Sequence, residues 1–331
     1  MSDMEEDFLS DVEGDEETRQ DEVGEDEKVQ VCHLTLETIS QGLSLLCRTG
    51  NGLGHAFVKM DLKDCGLNDI TAISSFIYIR FLDLSNNQLT DLSPLASLTQ
   101  LLWLKVDNNA VASFNGHPFE HLTYLQWLSM AGNRLTDMEG LVGPALEKLN
   151  LAGNGIQRLN ELQDSCFANL VTLELRGNQL DTTDGINLPN LQHLYLAENS
   201  IKHLEGLEGL ERLATLHLRD NQLDTLEGLS SNMKCLQYLN VRGNVLLDKK
   251  AIESLGRVSK TLKALVLSEN PLMEATDYRL SVLIILPQLK RLDKDPVSPD
   301  EMTEALMRIK VTLRSISFLC MSWECNNLLV C

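Results

Sequence analysis

The chain has 331 residues and a formal charge of −20, with 43% hydrophobic but only 5% aromatic residues. That apolar share can fill a sizeable core. So acidic a balance excludes a general nucleic-acid or anionic-membrane binder, because phosphate contacts need clustered Lys and Arg.

Residues 1–30 hold 14 acidic residues against Arg19 and Lys28. The block has almost no apolar content to offset chain entropy, which predicts a disordered arm. Two roles stay open for it: a self-repelling solubiliser, or an electrostatic docking arm for a basic partner. No basic start precedes an apolar core, so no signal peptide is expected. No run approaches the roughly 18 apolar residues of a membrane span. The cysteines (32, 47, 65, 166, 235, 320, 325 and 331) are scattered without a CxxC pair. Together these predict a reducing compartment.

Over residues 31–56, Leu36, Ile39, Leu43 and Leu46 recur at helical spacing, and Gly50-Asn51-Gly52 follows them. This predicts a capping helix that ends at the glycines.

From residue 57 one pattern repeats. LxxLxLxxNxL, with Cys allowed at the Asn position, occurs ten times, from FVKMDLKDCGL (57–67) and IRFLDLSNNQL (79–89) to LKALVLSENPL (262–272). The Asn-type positions are Cys65, Asn87, Asn109, Asn133, Asn154, Asn178, Asn199, Asn221, Asn244 and Asn270, spaced by 21–26 residues. Alternation in LxLxx points two Leu inward and the residues between them outward. Each short strand then joins a parallel sheet, and the Asn satisfies backbone groups inside the following bend. Cys65 reads as an inert thiol in that ladder. The stretch after each Asn leaves room only for a helical or 3₁₀ turn. The fold is therefore an α/β repeat solenoid: a leucine-rich-repeat horseshoe with a concave parallel β-sheet and convex 3₁₀ or helical turns.

The array runs over 57–293 and closes in a segment carrying Tyr278-Arg279, Leu286-Pro287, Leu289 and Leu292-Asp293, which resembles the C-terminal cap of the short intracellular repeat class. A helix is expected over 294–311, with Ser298 as N-cap, Pro299 in the first turn and Asp300 and Glu301 near the positive end of the dipole. Residues 312–331 form an atypical apolar tail with three Cys. Readings as a variant end, a partner anchor or, least well supported by spacing, a metal site stay open.

No Gly-rich phosphate loop, GxSxG or HExxH occurs, so the chain is expected to be no enzyme, with no cofactor, no metal and no small-molecule substrate. The outward strand positions carry the candidate partner-binding residues. One row holds Phe81, Trp103 and Trp127, then His193 and Tyr238, and the neighbouring row holds Tyr195 and His217. Exposed aromatics on a rigid sheet are typical interface anchors, although the two Trp packing on each other or on the acidic arm is the plainer reading. Arg176, Arg219 and Arg242 form a basic stripe that faces either an acidic partner or the neighbouring Asp220 and Glu174.

Glu139-Gly140-Leu141, Glu205-Gly206-Leu207 and Glu227-Gly228-Leu229 resemble the short-repeat class of phosphatase-1 regulatory repeat proteins. More specifically, GLSLLCRTGNGLGHAFVK (42–59), LTDLSPLASLTQLLWLK, GINLPNLQHLYLAEN, LATLHLRDNQLDTLEG and LQYLNVRGN resemble a family of leucine-rich-repeat components of the radial spoke in motile cilia and sperm flagella. The resemblance spans residues 42–293. It implies a structural protein of the cytoplasm and cytoskeleton, placed in the cilium or flagellum axoneme, supporting motility and bound to spoke proteins rather than nucleic acid or membrane. No binding residue is carried over individually. The tail departs from the family, whose members continue with charged sequence; if that region anchors the protein to the spoke, this chain docks weakly. The alternative is a regulatory module of a phosphatase or another intracellular complex; an RNA-processing role is disfavoured by charge.

Overall fold

In the computed structural model the described residues are 32–311, without 51, 53, 160, 161, 163 and 164. The acidic arm and the apolar tail lie outside them. A thirteen-stranded sheet runs in strict chain order. After a helix, α1 (Leu36–Gly42), come β1 (Leu43–Arg48) and β2 (His55–Asp61). Each repeat then adds three residues of strand: β3 (Phe81–Asp83), β4 (Trp103–Lys105), β5 (Trp127–Ser129), β6 (Lys148–Asn150), β7 (Thr172–Glu174), β8 (His193–Tyr195), β9 (Thr215–His217), β10 (Tyr238–Asn240) and β11 (Ala264–Val266). Helix α2 (Tyr278–Ile285), β12 (Arg291–Leu292) and β13 (Asp295–Pro296) close the array, followed by helix α3 (299–311).

The strands from β2 to β12 pair in parallel, with the central leucines in register, as Leu82 with Leu104 and Leu104 with Leu128. Those leucines, with Leu84, Leu89 and their counterparts in later repeats, are fully buried in one continuous core. Behind the sheet, 3₁₀ turns such as Ser93–Ser97 and Leu207–Gly209 return the chain. Aspartates start several of these turns: Asp69 Oδ1 accepts the Thr71 N–H and Asp91 Oδ1 the Ser93 N–H, both at 2.8 Å.

The Asn ladder is made bond by bond. Asn199 Oδ1 accepts the Leu180 N–H at 3.0 Å, while its Nδ2 donates to Leu175 O at 3.0 Å and Leu196 O at 3.1 Å. Asn87, Asn109, Asn133, Asn154, Asn178, Asn221, Asn244 and Asn270 repeat the arrangement. One amide thus ties two adjacent repeats and pairs carbonyls of both. Cys65 takes the first rung half-buried; its thiol donates to Lys63 O at 3.3 Å, and burial, then Asp61 and Asp64, push its pKa up. A thiol held protonated is unreactive.

The residue before each rung has a positive φ: Asp64, Asn86, Asn108, Gly132, Gly153, Gly177, Glu198, Asp220, Gly243 and Glu269. The bend therefore requires the left-handed region, which Gly, Asn and Asp reach most easily. Glu198 and Glu269 adopt it against their intrinsic preference.

The N-terminal cover is not the helix expected through residue 52. Helix α1 stops at Gly42, and β1 turns back to pair antiparallel with β2, Leu46 opposite Phe57 and Arg48 opposite His55. Leu36 and Leu46, on the expected apolar face, are 76% and 58% exposed. The edge of the first repeat decides the matter: a helix would leave the backbone groups of β2 unpaired along one side, whereas a strand satisfies them. Gly42 makes the turn because a Cβ there would overlap the Asp61 carbonyl oxygen.

At the other end, residues 295–296 are strand rather than helix, so the C-terminal helix starts at 299 instead of 294. A capping box opens it: Ser298 Oγ accepts the Glu301 N–H at 3.2 Å and Glu301 Oε2 accepts the Ser298 N–H at 2.9 Å. Arg279 Nε donates to Glu301 Oε1 at 2.7 Å, and the Tyr278 hydroxyl donates to Asp293 Oδ2 at 2.8 Å. Asp293 Oδ1 accepts the N–H groups of Leu267 and Ser268 at 2.8 and 2.9 Å, closing the last repeat.

Candidate functional site

Each three-residue strand buries its middle Leu and turns its first and third side chains onto the concave face. Register therefore fixes which side chains meet. The first row reads Lys59, Phe81, Trp103, Trp127, Lys148, Thr172, His193, Thr215 and Tyr238. The second reads Asp61, Asp83, Lys105, Ser129, Asn150, Glu174, Tyr195, His217 and Asn240.

Phe81 lies beside Trp103, and Trp103 and Trp127 stack with ring centroids 4.5 Å apart and planes 8° from parallel. All three are half-buried. The mutual packing of the two indoles is thus present, and it also makes them a rigid apolar plate. Rings already held in place lose little entropy when a partner covers them.

A second aromatic group lies further along. Tyr195 packs on His217, and His217 on Tyr238, each with centroids 4.9 Å apart and planes tilted 32°. It crosses from the second row to the first, joining residues that the sequence places in separate rows. His193 stands on the same strand as Tyr195 but in the first row, beside Thr172 and Thr215.

The arginine stripe is engaged within the chain. Arg176 Nη2 meets Glu198 Oε1 at 2.6 Å, Arg219 Nε meets Asp220 Oδ2 at 2.7 Å, and Arg242 Nη2 meets Glu269 Oε1. These carboxylates sit at the left-handed position before each Asn rung, which brings them to the arginines of the preceding or same repeat. Glu174, expected as a partner of the stripe, does not take a guanidinium.

The environment of Glu174 is what the sequence did not show. Its Oε1 accepts the Arg176 backbone N–H at 3.0 Å, and among the described residues no donor reaches Oε2. Burial between Asn150 and Tyr195 pushes its pKa up to about 7, more than the Arg176 N–H and guanidinium hold it down, with Glu198 adding repulsion. A half-buried carboxyl without a facing cation is costly to ionise. No sequence signal marks its burial, because its neighbours come from adjacent repeats.

Known proteins place this array. The family described as Leucine-rich repeat matches residues 168–312, and that described as Leucine rich repeat matches 77–135. The Homo sapiens protein named Leucine-rich repeat-containing protein 23 is 48% identical over 272 residues, which cover 82% of this chain and 78% of that protein. This chain belongs to the leucine-rich repeat-containing protein 23 family. The Xenopus tropicalis member is 48% identical over 272 residues, covering 82% of this chain and 77% of its own length. The crystal structure of the LRIM1/APL1C complex shares the fold, with a TM-score of 0.56 at 18% identity over 81% of this chain and 47% of that one. Membership in this family makes the chain a repeat protein of the protein-interaction type.

Proposed function

We propose that this member of the leucine-rich repeat-containing protein 23 family is a non-enzymatic scaffold of the radial spoke, binding spoke proteins through its concave face and supporting motility of cilia and sperm flagella. The observation that carries the binding role is the half-exposed Trp103–Trp127 stack on a rigid sheet, continued by Phe81. Large aromatic surface presented without rearrangement is what a protein interface uses. The axonemal placement rests on the family resemblance of residues 42–293.

Fractionation of ciliated cells tests the placement. The protein is expected to stay with detergent-extracted axonemes and to co-purify with spoke proteins. A wholly cytosolic pool would overturn it, and recovery with a phosphatase catalytic subunit would favour a regulatory module of the kind that the Glu-Gly-Leu turns resemble.

A further inference from the structure

The aromatic plate on the concave face has charged ends. In the first row Phe81, Trp103 and Trp127 are bracketed by Lys59 on β2 and Lys148 on β6. Both lysines are exposed, and the three rings between them are half-buried. The row therefore reads cation, three rings, cation, one residue from each of the strands β2 to β6. Adjacent strands are about 4.8 Å apart, so the rings span about 10 Å and the two lysine positions roughly 19 Å. The second row starts with the opposite sign. Asp61 and Asp83 each use Oδ1 to accept a backbone N–H two residues on, from Lys63 and Ser85. Lys105, next in that row, meets Asp107 at 3.5 Å. On the other side of the first row, Arg80 and Glu147 are exposed and opposite in charge, so the lysines set the sign along the row itself.

The spacing selects a helix. One helical turn rises about 5.4 Å, close to the strand spacing and to the 4.5 Å between the two indoles. Side chains at i, i+4 and i+7 therefore set one apolar group on each ring. Same-face residues of an extended segment lie about 6.7 Å apart and fall out of step by the third ring.

We propose that the plate and its two lysines form a groove for an amphipathic helix of a partner protein. Apolar side chains at i, i+4 and i+7 cover the rings, and a carboxylate about one turn beyond each end meets Lys59 and Lys148. The proposal rests on the reading of the concave face as the partner surface and adds the partner's secondary structure and charge. The rings, already stacked, supply the affinity. The lysines, exposed on flexible stems, supply register and selectivity. Asp61 and Asp83 repel an acidic helix that strays toward the second row, which confines it to the first.

Fluorescence anisotropy of the full chain with labelled, alanine-based helical peptides tests this. One peptide carries Leu at i, i+4 and i+7 with Glu one turn beyond either end; a second has Gln in place of those Glu; a third keeps the Glu but spreads the three Leu around the helix. Lys59→Gln/Lys148→Gln is compared with Lys202→Gln/Lys260→Gln, which removes the same charge from exposed positions outside the strands. The long-range field of the acidic arm is thereby matched, and circular dichroism melting checks the fold. Lys59→Gln/Lys148→Gln should weaken the Glu-flanked peptide about 4- to 20-fold relative to the control pair, within what two exposed ion pairs supply. It should leave the Gln-flanked peptide unchanged. Wild type should prefer the Leu stripe to the spread Leu. Equal binding of the Glu-flanked peptide by the two double variants would overturn the acidic ends. Equal binding of the striped and spread peptides, or no binding of the striped peptide by wild type, would overturn the helix. Each of these results leaves the concave face to be judged by axonemal retention, which involves no peptide.

Discussion

Asn199 shows what a single side chain does here. Its amide closes four bonds to two repeats while 9% exposed. Asn199→Ala leaves the Leu180 N–H and the Leu175 and Leu196 carbonyls unpaired, so it should destabilise the array by about 1–3 kcal/mol, read from urea midpoints. A melting curve matching wild type would show the rung to be dispensable. Glu174 acts with the opposite sign. Its folded pKa of about 7 lies above the ordinary value of 4.5, so the folded chain holds a proton that the unfolded chain releases. Its contribution to stability is greatest below pH 4.5 and is lost as pH rises to 7. Glu174→Gln should therefore gain on wild type across that window in urea titrations, and a constant offset would contradict the raised value. The rungs were legible in the sequence because one amide must recur at every bend. The burial of Glu174 was not, because it is set by Asn150 and Tyr195, each a repeat away. Of the carboxylates that hold the arginine stripe, Asp220 was legible beside Arg219, whereas Glu198 and Glu269 were hidden, since the left-handed turn that presents them does not show in a hydrophobic pattern.

At the scale of elements, the two covers differ in how well the sequence revealed them. The C-terminal cover uses local chemistry at Ser298 and Glu301, and that N-cap was readable from spacing, although the strand over Asp295–Pro296 was not. The N-terminal cover is decided by the open edge of β2, a demand from outside the segment, and it overrode helical periodicity over Leu43–Arg48. Gly42→Ala pushes a Cβ into the Asp61 carbonyl; it should loosen the hairpin, raise amide exchange across β1 and β2, and promote association through the uncovered edge. Unchanged exchange would remove Gly42 from that role. Helix α3 should respond to acid. Arg279, then the Ser298 N–H, hold the Glu301 pKa down to about 2. That lowered value contributes stability above pH 4.5, which is lost as pH falls toward 2. The pair is part-exposed, so Glu301→Gln should cost about 1 kcal/mol or less at pH 7. It should also abolish the acid-dependent rise in amide exchange over 299–311; a rise that persists would assign it elsewhere.

For the whole molecule, ten short repeats turn a weak local preference into one rigid face. Each strand contributes two outward side chains, and parallel register lines them up, so Phe81, Trp103 and Trp127 become neighbours although 22 and 24 residues separate them. The aromatic row was legible because the repeat period gave the register directly; the Tyr195–His217–Tyr238 group was only half legible, since it crosses rows. The most direct measurement is retention on demembranated axonemes of wild type beside the Trp103→Ala/Trp127→Ala double variant, with melting curves for both. The indoles are half-exposed, so the variant should stay folded; wild type should be retained and the variant should be lost. Equal retention of the two folded proteins would contradict a concave aromatic grip.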